Sequence, residues 1–239
     1  MVRVRVDWRT SLDLTGRILV YLAAPLSFPL AIAVWYGESV LPFAVAIAAT
    51  LALGGAFRAL PGDPGDLGPR EAFLAVAVIW FLVAAVGAIP FVVARTGTVA
   101  HPINAMFESM SGLTTTGATT LEEFSIHDRS ILMWRQLLQW LGGLGILILA
   151  TAILSELGVG GAQLMETESQ TRNVNKLTPR ISETARLIWG LYLGLTALAI
   201  VVYYGLNLVG LAPNMDLYNA VAHAFTSVST AGFSPEPLS

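Results

Sequence analysis

Two short polar loops, each centred on a glycine, recur at a fixed distance in an otherwise apolar chain. The first is TTTGAT, residues 114–119, and the second is STAGFS, residues 229–234. One ungapped shift of 115 residues superimposes both the glycines, Gly117 and Gly232, and the Asn-Ala pairs that precede them at Asn104 and Asn219. Polar backbone at membrane depth is tolerated only where protein buries it or where it lines a water-filled path. A duplicated loop of this kind therefore predicts two equivalent parts of a pore.

The composition favours a membrane protein. The 239 residues are 55% hydrophobic and only 12% charged, with a mean hydropathy of +0.68, whereas soluble domains are about 25% charged. We therefore expect an all-α integral membrane protein whose main contact is the lipid bilayer. The net charge of −3 gives no reason to expect a nucleic acid as partner, and the lack of cysteine excludes disulfides and thiolate metal sites. No set of catalytic side chains lies at membrane depth, so we do not expect an enzyme.

Five segments are apolar over the roughly 20 residues that a membrane helix needs. They are residues 18–36, 40–57, 72–94, 136–154 and 187–212. With the N-terminus in the cytoplasm, ten of the 13 Lys and Arg residues fall on the cytoplasmic side, as expected for a multi-pass protein of the cell membrane. Both polar loops then enter from the outer side, each after a short apolar helix at residues 103–113 and 218–228. The predicted unit is a span, a re-entrant helix and loop, and a second span.

At these residues the chain resembles the membrane subunit of the Trk/Ktr/HKT potassium-uptake family, in its Trk-type form. The resemblance is carried by the strings NAMFESMSGLTTTGATTL, WRQLLQWLGGLGILILATAIL and NAVAHAFTSVSTAGFSP. It implies tandem potassium-channel-like repeats, each with an outer helix, a pore helix, a filter and an inner helix. Residues 1–70 then hold the N-terminus and two additional transmembrane helices, 71–156 the first repeat, 157–186 a cytoplasmic loop, and 187–239 an incomplete second repeat. Because family members have four repeats, we expect this chain to be an N-terminal half.

The resemblance also assigns the filter. A dehydrated K⁺ ion needs a cage of oxygens, which a ring of backbone carbonyls supplies, and glycine reaches the required backbone angles without steric cost. The resemblance implies that the ion faces the carbonyls of Thr115, Thr116, Gly117, Thr230, Ala231 and Gly232. The flanking residues are Thr114, Ala118, Thr119, Ser229, Phe233 and Ser234. When the two loops are aligned, both residues carry a hydroxyl at three positions: Thr114 and Ser229, Thr115 and Thr230, and Thr119 and Ser234. We expect these hydroxyls to add oxygens beside the ion path.

Two charged residues near the filter need an explanation. Arg135, near the outer end of the fourth span, is costly in a bilayer and should pair or reach the interface. It either supports the filter through Glu108, Glu122 or Glu123, or serves as an interfacial anchor. Glu108 lies inside the apolar pore helix, where a carboxylate needs a partner. The glycines at 142, 143 and 145 are expected to break the same span, for close packing or as a gating hinge.

The function implied by the resemblance is uptake of K⁺ through a carbonyl-lined filter, by the pore-forming subunit of a Trk-type system. No cofactor is implied, and K⁺ at the filter is the only metal. The implied partners are a second copy of the chain and a nucleotide-binding regulatory subunit on the cytoplasmic face. Two alternatives remain at this point: a non-conducting membrane module that assembles with a full-length subunit, and a Na⁺-selective or Na⁺-coupled relative.

Overall fold

The computed structural model describes residues 8–60, 69–156 and 177–236, and in these ranges every regular element is helical. Five long helices and two short ones are joined by loops and a single 3-10 turn, Thr98–Ala100. In chain order the helices are α1 Trp8–Tyr36, α2 Leu41–Arg58, α3 Pro69–Ala94, α4 Pro102–Leu113, α5 Arg129–Glu156, α6 Leu177–Leu208 and α7 Leu217–Val228.

The five long helices, α1, α2, α3, α5 and α6, are long and apolar enough to cross a membrane. They confirm the prediction of an all-α membrane protein with five spans. Four of them begin earlier than predicted: α3 by three residues, at Pro69, and α1, α5 and α6 by seven to ten residues, at Trp8, Arg129 and Leu177. Hydropathy detects only the part of a helix that matches the hydrocarbon core, so charged turns beyond that core were missed. Residues 177–186 of the predicted cytoplasmic loop thus belong to α6, and residues 157–176 lie outside the described part of the chain.

The short helices α4 and α7 agree with the predicted pore helices to within one residue. Each is started by a side chain that accepts a backbone N–H at its first turn. In α4 the Nδ1 atom of His101 accepts from Ile103 at 3.3 Å, and in α7 a carboxylate oxygen of Asp216 accepts from Asn219 at 2.8 Å. Both helices end where the polar loops begin.

Helix α5 is the centre of the assembly. It contacts α1, α3, α4, α6 and α7, and 61% of its most apolar stretch is buried, compared with 11% in α6. The helix runs without interruption through Gly142, Gly143 and Gly145. The prediction that these glycines break the span was wrong, because a glycine keeps its backbone hydrogen bonds and close packing outweighs its low helix propensity. Between α1 and α2, Gly16 and Gly54 let the two backbones approach each other closely.

Candidate functional site: a paired filter region

The two polar loops have the same backbone conformation. Thr115 and Thr230 have φ angles of 56° and 55°, and Gly117 and Gly232 have φ angles of 74° and 87°. Left-handed residues therefore occur at the same two positions of each loop. The alignment that superimposes the sequences also superimposes the backbone geometry.

The same pair of backbone hydrogen bonds connects the start of each loop to the last turn of the helix before it. After α4, the N–H of Thr116 donates to the carbonyl of Ser111 and the N–H of Thr115 donates to that of Gly112, both at 2.9 Å. The same two bonds recur 115 residues later at 3.1 Å, from Ala231 to Thr226 and from Thr230 to Ser227. This is the Schellman arrangement, in which a left-handed residue ends the helix.

The residue that ends each helix is unusual for that arrangement. The left-handed position is normally glycine, and a β-branched residue there is a genuine outlier. Threonine occupies it in both repeats, at a cost of about 1–2 kcal/mol per residue. Backbone strain of this kind persists at functional sites, where the surrounding structure imposes it. The strain at Thr115 and Thr230 was not predicted from the sequence, since nothing marks a threonine as left-handed.

The two loops contact each other at Gly117. A Cβ atom on this glycine would lie 2.0 Å from the carbonyl oxygen of Ala231 and 3.2 Å from its carbonyl carbon. Gly232 differs, because a Cβ atom there would have no described atom within 4 Å. Glycine suits the positive φ angle at both positions. Only at Gly117 does the close approach of the second loop also exclude a side chain.

The flanking hydroxyls make hydrogen bonds at the ends of the loops. The hydroxyls of Thr114 and Ser229 donate back to the carbonyls of Met110 and Phe225, both at 2.8 Å. The hydroxyl of Thr119 donates to Oε1 of Glu108 at 2.8 Å. Such local hydrogen bonds are common for hydroxyl side chains, and these three hold the ends of the loops. Ser234, the counterpart of Thr119, donates to the carbonyl of Glu236.

A buried ion pair joins the two loops. The Nε atom of Arg135 donates to Oε1 of Glu108 at 2.5 Å, and the two side chains are 1% and 0% exposed. The other carboxylate oxygen of Glu108 accepts the N–H of Thr120 at 2.9 Å, while Nη1 of Arg135 donates to the carbonyl of Ser234 at 2.8 Å. Of the three predicted partners of Arg135, the structure brings Glu108 to it, and such depth does not fit an interfacial anchor.

Aromatic rings complete the surroundings of Arg135. Its guanidinium group lies 3.7 Å from the centroid of Phe233 and 5.2 Å from that of Phe124. Cation–π contacts of this kind gain strength where water is excluded. Phe233 is itself buried and also contacts Gly112 of the first pore helix. The variation at this position, alanine in the first loop and phenylalanine in the second, thus has a packing reason.

Glycines of α5 let this helix contact the carboxyl ends of both α4 and α7. A Cβ atom on Gly142 would lie 1.8 Å from the carbonyl oxygen of Leu113, the last residue of α4. A Cβ atom on Gly143 would lie 2.9 Å from the Cβ of Ser229, the residue that caps α7. Gly145 has only an ordinary contact at 3.8 Å. The first two glycines are therefore required by packing, which favours that alternative over a hinge.

His127 lies between the first loop and α5. Its Nδ1 atom is 2.8 Å from the hydroxyl of Thr96. Burial lowers the pKa of His127 below its ordinary value, and the nearby Arg135 lowers it further, partly offset by Glu108 and Asp128. Within the described residues, no three His, Asp or Glu side chains are grouped so that they could hold a metal ion.

Comparison with known proteins identifies close relatives of this arrangement. The family model "TrkH: Cation transport protein" matches residues 42–239. The Trk system potassium uptake protein TrkH of Escherichia coli (strain K12) is 42% identical over 179 residues, which cover 74% of this chain and 35% of that protein. The corresponding protein of Halomonas elongata is 37% identical over 236 residues, covering 97% and 47%. The crystal structure of the potassium transporter TrkH from Vibrio parahaemolyticus matches with a TM-score of 0.78 at 32% identity, covering 97% of this chain and 45% of that one. The chain thus spans less than half the length of each of these relatives.

Proposed function

Because this chain belongs to the TrkH cation transport family, we propose that it forms two of the filter elements of a K⁺-uptake pore. The resemblance to a Trk-type membrane subunit, drawn from the sequence, is confirmed by these relatives, which are transporters and not enzymes. The chain is a multi-pass membrane protein. Its location in the cell membrane with a cytoplasmic N-terminus is proposed from the placement of Lys and Arg.

The observation that carries the proposal is the duplicated, strained backbone of the two loops. Each has threonine and glycine in the left-handed region at matched positions. A backbone held out of its preferred angles in the same way twice is best explained by a task for its carbonyl groups. Carbonyl oxygens that replace the water around K⁺ are such a task. We assign the ion-facing carbonyls to the residues predicted from the sequence, which are Thr115–Gly117 in the first loop and Thr230–Gly232 in the second.

The pore helices supply a second, weaker contribution. Both α4 and α7 end at the loops, so the partial negative charge of each helix C-terminus lies beside the proposed filter. That charge favours a cation. The hydroxyls of Thr114 and Ser229 bond to carbonyls of the same last turns, which holds the helix ends in place.

We propose a supporting role for the Glu108–Arg135 pair. The pair connects the outer flank of the first loop, through Thr120, to the carbonyl of Ser234 in the second loop. Breaking a buried ion pair by removing one partner costs about 3–5 kcal/mol. The pair therefore fixes the two loops relative to each other while contributing no ligand to the ion.

A non-conducting membrane module is the second candidate. Gly117 packs against the second loop, but the space next to Gly232 is open within the described residues. In this candidate, two loops that meet on one side only do not enclose an ion, and further filter elements complete the path. A longer subunit, a second copy or a cytoplasmic nucleotide-binding regulator are the partners that this proposal includes.

Flux measurements test the proposal. The purified chain is reconstituted in liposomes, and Rb⁺ uptake is measured with K⁺ or Na⁺ as competitor. We expect K⁺ to compete better than Na⁺, and we expect Gly117→Val to abolish uptake while Gly145→Ala leaves it unchanged. Better competition by Na⁺ would favour the Na⁺-selective alternative. If the chain alone conducts nothing but is stabilised by K⁺ against thermal unfolding, the non-conducting module is supported. Uptake that is unaffected by Gly117→Val contradicts the filter assignment.

A further inference from the structure

We infer that the N-terminal helix α1 and the loop after it position the second pore helix, with Glu38 and Arg129 as the positioning residues. This inference rests on the proposed function, since it concerns how the second filter loop is held. Residues 1–41 lie outside the part of the chain that the family model matches, and nothing in the sequence pattern assigns them a role beyond membrane insertion.

The first step is the cap on the inner helix. Glu38 follows α1, and its two carboxylate oxygens accept the N–H groups of Arg129 and Ser130 at 2.8 and 2.9 Å. These are the first two residues of α5. A helix N-terminus carries unpaired N–H groups and a partial positive charge, so a carboxylate from a distant segment is a strong cap there. The cap joins the α1–α2 connection to the helix that carries Arg135.

The second step is the connection from α5 to α7. The hydroxyl of Tyr218, in the first turn of α7, donates to the carbonyl of Arg129 at 2.7 Å. The Arg129 side chain donates to the hydroxyl of Tyr36 at 3.1 Å. Its guanidinium lies 4.8 Å from the ring centroid of Tyr36 and 5.3 Å from that of Tyr218. The Oδ2 atom of Asp216, which caps α7, lies 3.9 Å from Nη1 of Arg129. One arginine thus holds α1, α5 and α7 together. We call Tyr36, Glu38, Arg129, Asp216 and Tyr218 the outer clasp.

The third step is the contact between aromatic side chains of α1 and α7 below the clasp. The rings of Tyr36 and Tyr218 meet edge to face at 6.2 Å, and those of Phe28 and Phe225 meet at 6.1 Å. These pairs run in opposite chain directions, so α1 and α7 lie antiparallel along about two turns. Between the two pairs is an apolar cavity of about 340 Å³, lined by Phe28, Tyr36, Tyr218 and neighbouring side chains. The clasp and the aromatic pairs bridge this space from α1 to α7.

Together these contacts explain how α7 is held at its start. Its carboxyl end is fixed against α5 by the approach of Gly143 to Ser229. Its amino end depends on the outer clasp. A rotation of α7 about its carboxyl end would move the loop that begins at Ser229, and hence the carbonyls proposed to face the ion. Glu38 acts on that loop only through α5 and α7, without touching the ion path.

The test measures the distance between the two pore helices. The chain has no cysteine, so spin labels can be placed by Ile103→Cys and Leu217→Cys, two positions that are 73% and 57% exposed at the starts of α4 and α7. Pulsed electron paramagnetic resonance then gives the distance distribution in detergent. We expect Glu38→Gln to broaden it, because an amide replaces one of the two acceptor oxygens by an NH₂ donor and removes the charge. Tyr218→Phe, which removes one hydroxyl and keeps the ring, should broaden it less. The matched control is Asp13→Asn, which removes the exposed pair with Arg17 on the same helix α1 and should change nothing.

A second measurement separates positioning from mere stability. The K⁺ concentration that gives half of the maximal thermal stabilisation should rise about fivefold or more in Glu38→Gln, the range typical of coupling between sites, while helix content stays the same. An unchanged distance distribution in both Glu38→Gln and Tyr218→Phe overturns the inference. If K⁺ has no effect on the unmodified chain, the proposed function fails, yet the distances still decide the role of the clasp.

Discussion

Replacing Gly117 by alanine is expected to do more damage than the same replacement at Gly232, although the two glycines are equivalent in sequence. Both have a positive φ angle, 74° and 87°, so alanine costs about 1–2 kcal/mol of backbone strain at either position. Alanine also lowers the entropy of the unfolded chain, but by the same amount at both sites. These two contributions therefore cancel when the variants are compared.

The remaining difference is steric. The new methyl group at position 117 would lie 2.0 Å from the carbonyl oxygen of Ala231, whereas the one at position 232 would meet nothing within 4 Å. The obstructing atom belongs to the backbone, so no side-chain rotation relieves the collision. Overpacking of this kind costs about 1–3 kcal/mol or more. We expect Gly117→Ala to be the less stable variant by about that amount, and to displace the second loop as well as the first.

Thermal unfolding of the purified chain in detergent, followed by tryptophan fluorescence, measures the difference. Each kcal/mol lowers Tm by about 2–4 °C in a chain of this length. The scans are repeated in KCl and in NaCl, and the stabilisation by K⁺ should be lost in Gly117→Ala and weakened in Gly232→Ala. Equal losses of stability in the two variants would refute the close approach of the loops. So would a Gly117→Ala change within about 0.5 kcal/mol of the unmodified chain, the usual range for surface substitutions.

Three further tests probe the surroundings of the filter region by the same thermal assay. Arg135→Gln should destabilise the chain by about 3–5 kcal/mol because it leaves Glu108 buried and unpaired, and adding Glu108→Gln should recover part of the loss; a double variant as unstable as the sum of the singles would contradict the pairing. Because the pKa of His127 is lowered in the folded chain, the unfolded state takes up the proton first, so stability should fall as pH drops below about 6.5; His127→Asn should flatten this dependence between pH 7.5 and 5.5, and an unchanged slope would assign it to other groups. Gly142→Ala should lower Tm strongly, since its methyl group would collide with backbone, and Gly145→Ala is the matched control that should have little effect.

The sequence was sufficient to predict the membrane fold and the location of the loops, because both depend on local patterns. Apolar runs identify spans, and a repeat at a fixed offset identifies Gly117 and Gly232. The ends of α1, α5 and α6 could not be predicted in the same way. Turns such as the one that begins at Arg129 are polar on part of their surface, and their helical state depends on contacts such as the cap from Glu38.

The contacts within the site were less predictable, since they join residues far apart in the chain. Arg135 had three acidic candidates, and only the structure brings Glu108, 27 residues earlier, to its guanidinium. The left-handed threonines had no signal at all, because positive φ is expected of glycine and asparagine and not of β-branched residues. The hydrogen bonds of the flanking hydroxyls were not predicted either: the hydroxyl of Thr114 donates to a carbonyl of the preceding helix, a local bond of a kind common for threonine.

The asymmetry between the repeats has a physical consequence for how the pore region is built. In the first repeat, Glu108 lies fully buried in the pore helix and binds the arginine of the following inner helix. Its counterpart in the second repeat is His223, whose Nδ1 atom is 2.8 Å from the carbonyl of Asn219 in its own helix. The second loop is instead held through the carbonyl of Ser234 by Arg135, from the first repeat. One buried guanidinium therefore serves both loops, and its loss should disturb them together. Independent behaviour of the two loops in Arg135→Gln would contradict this shared support.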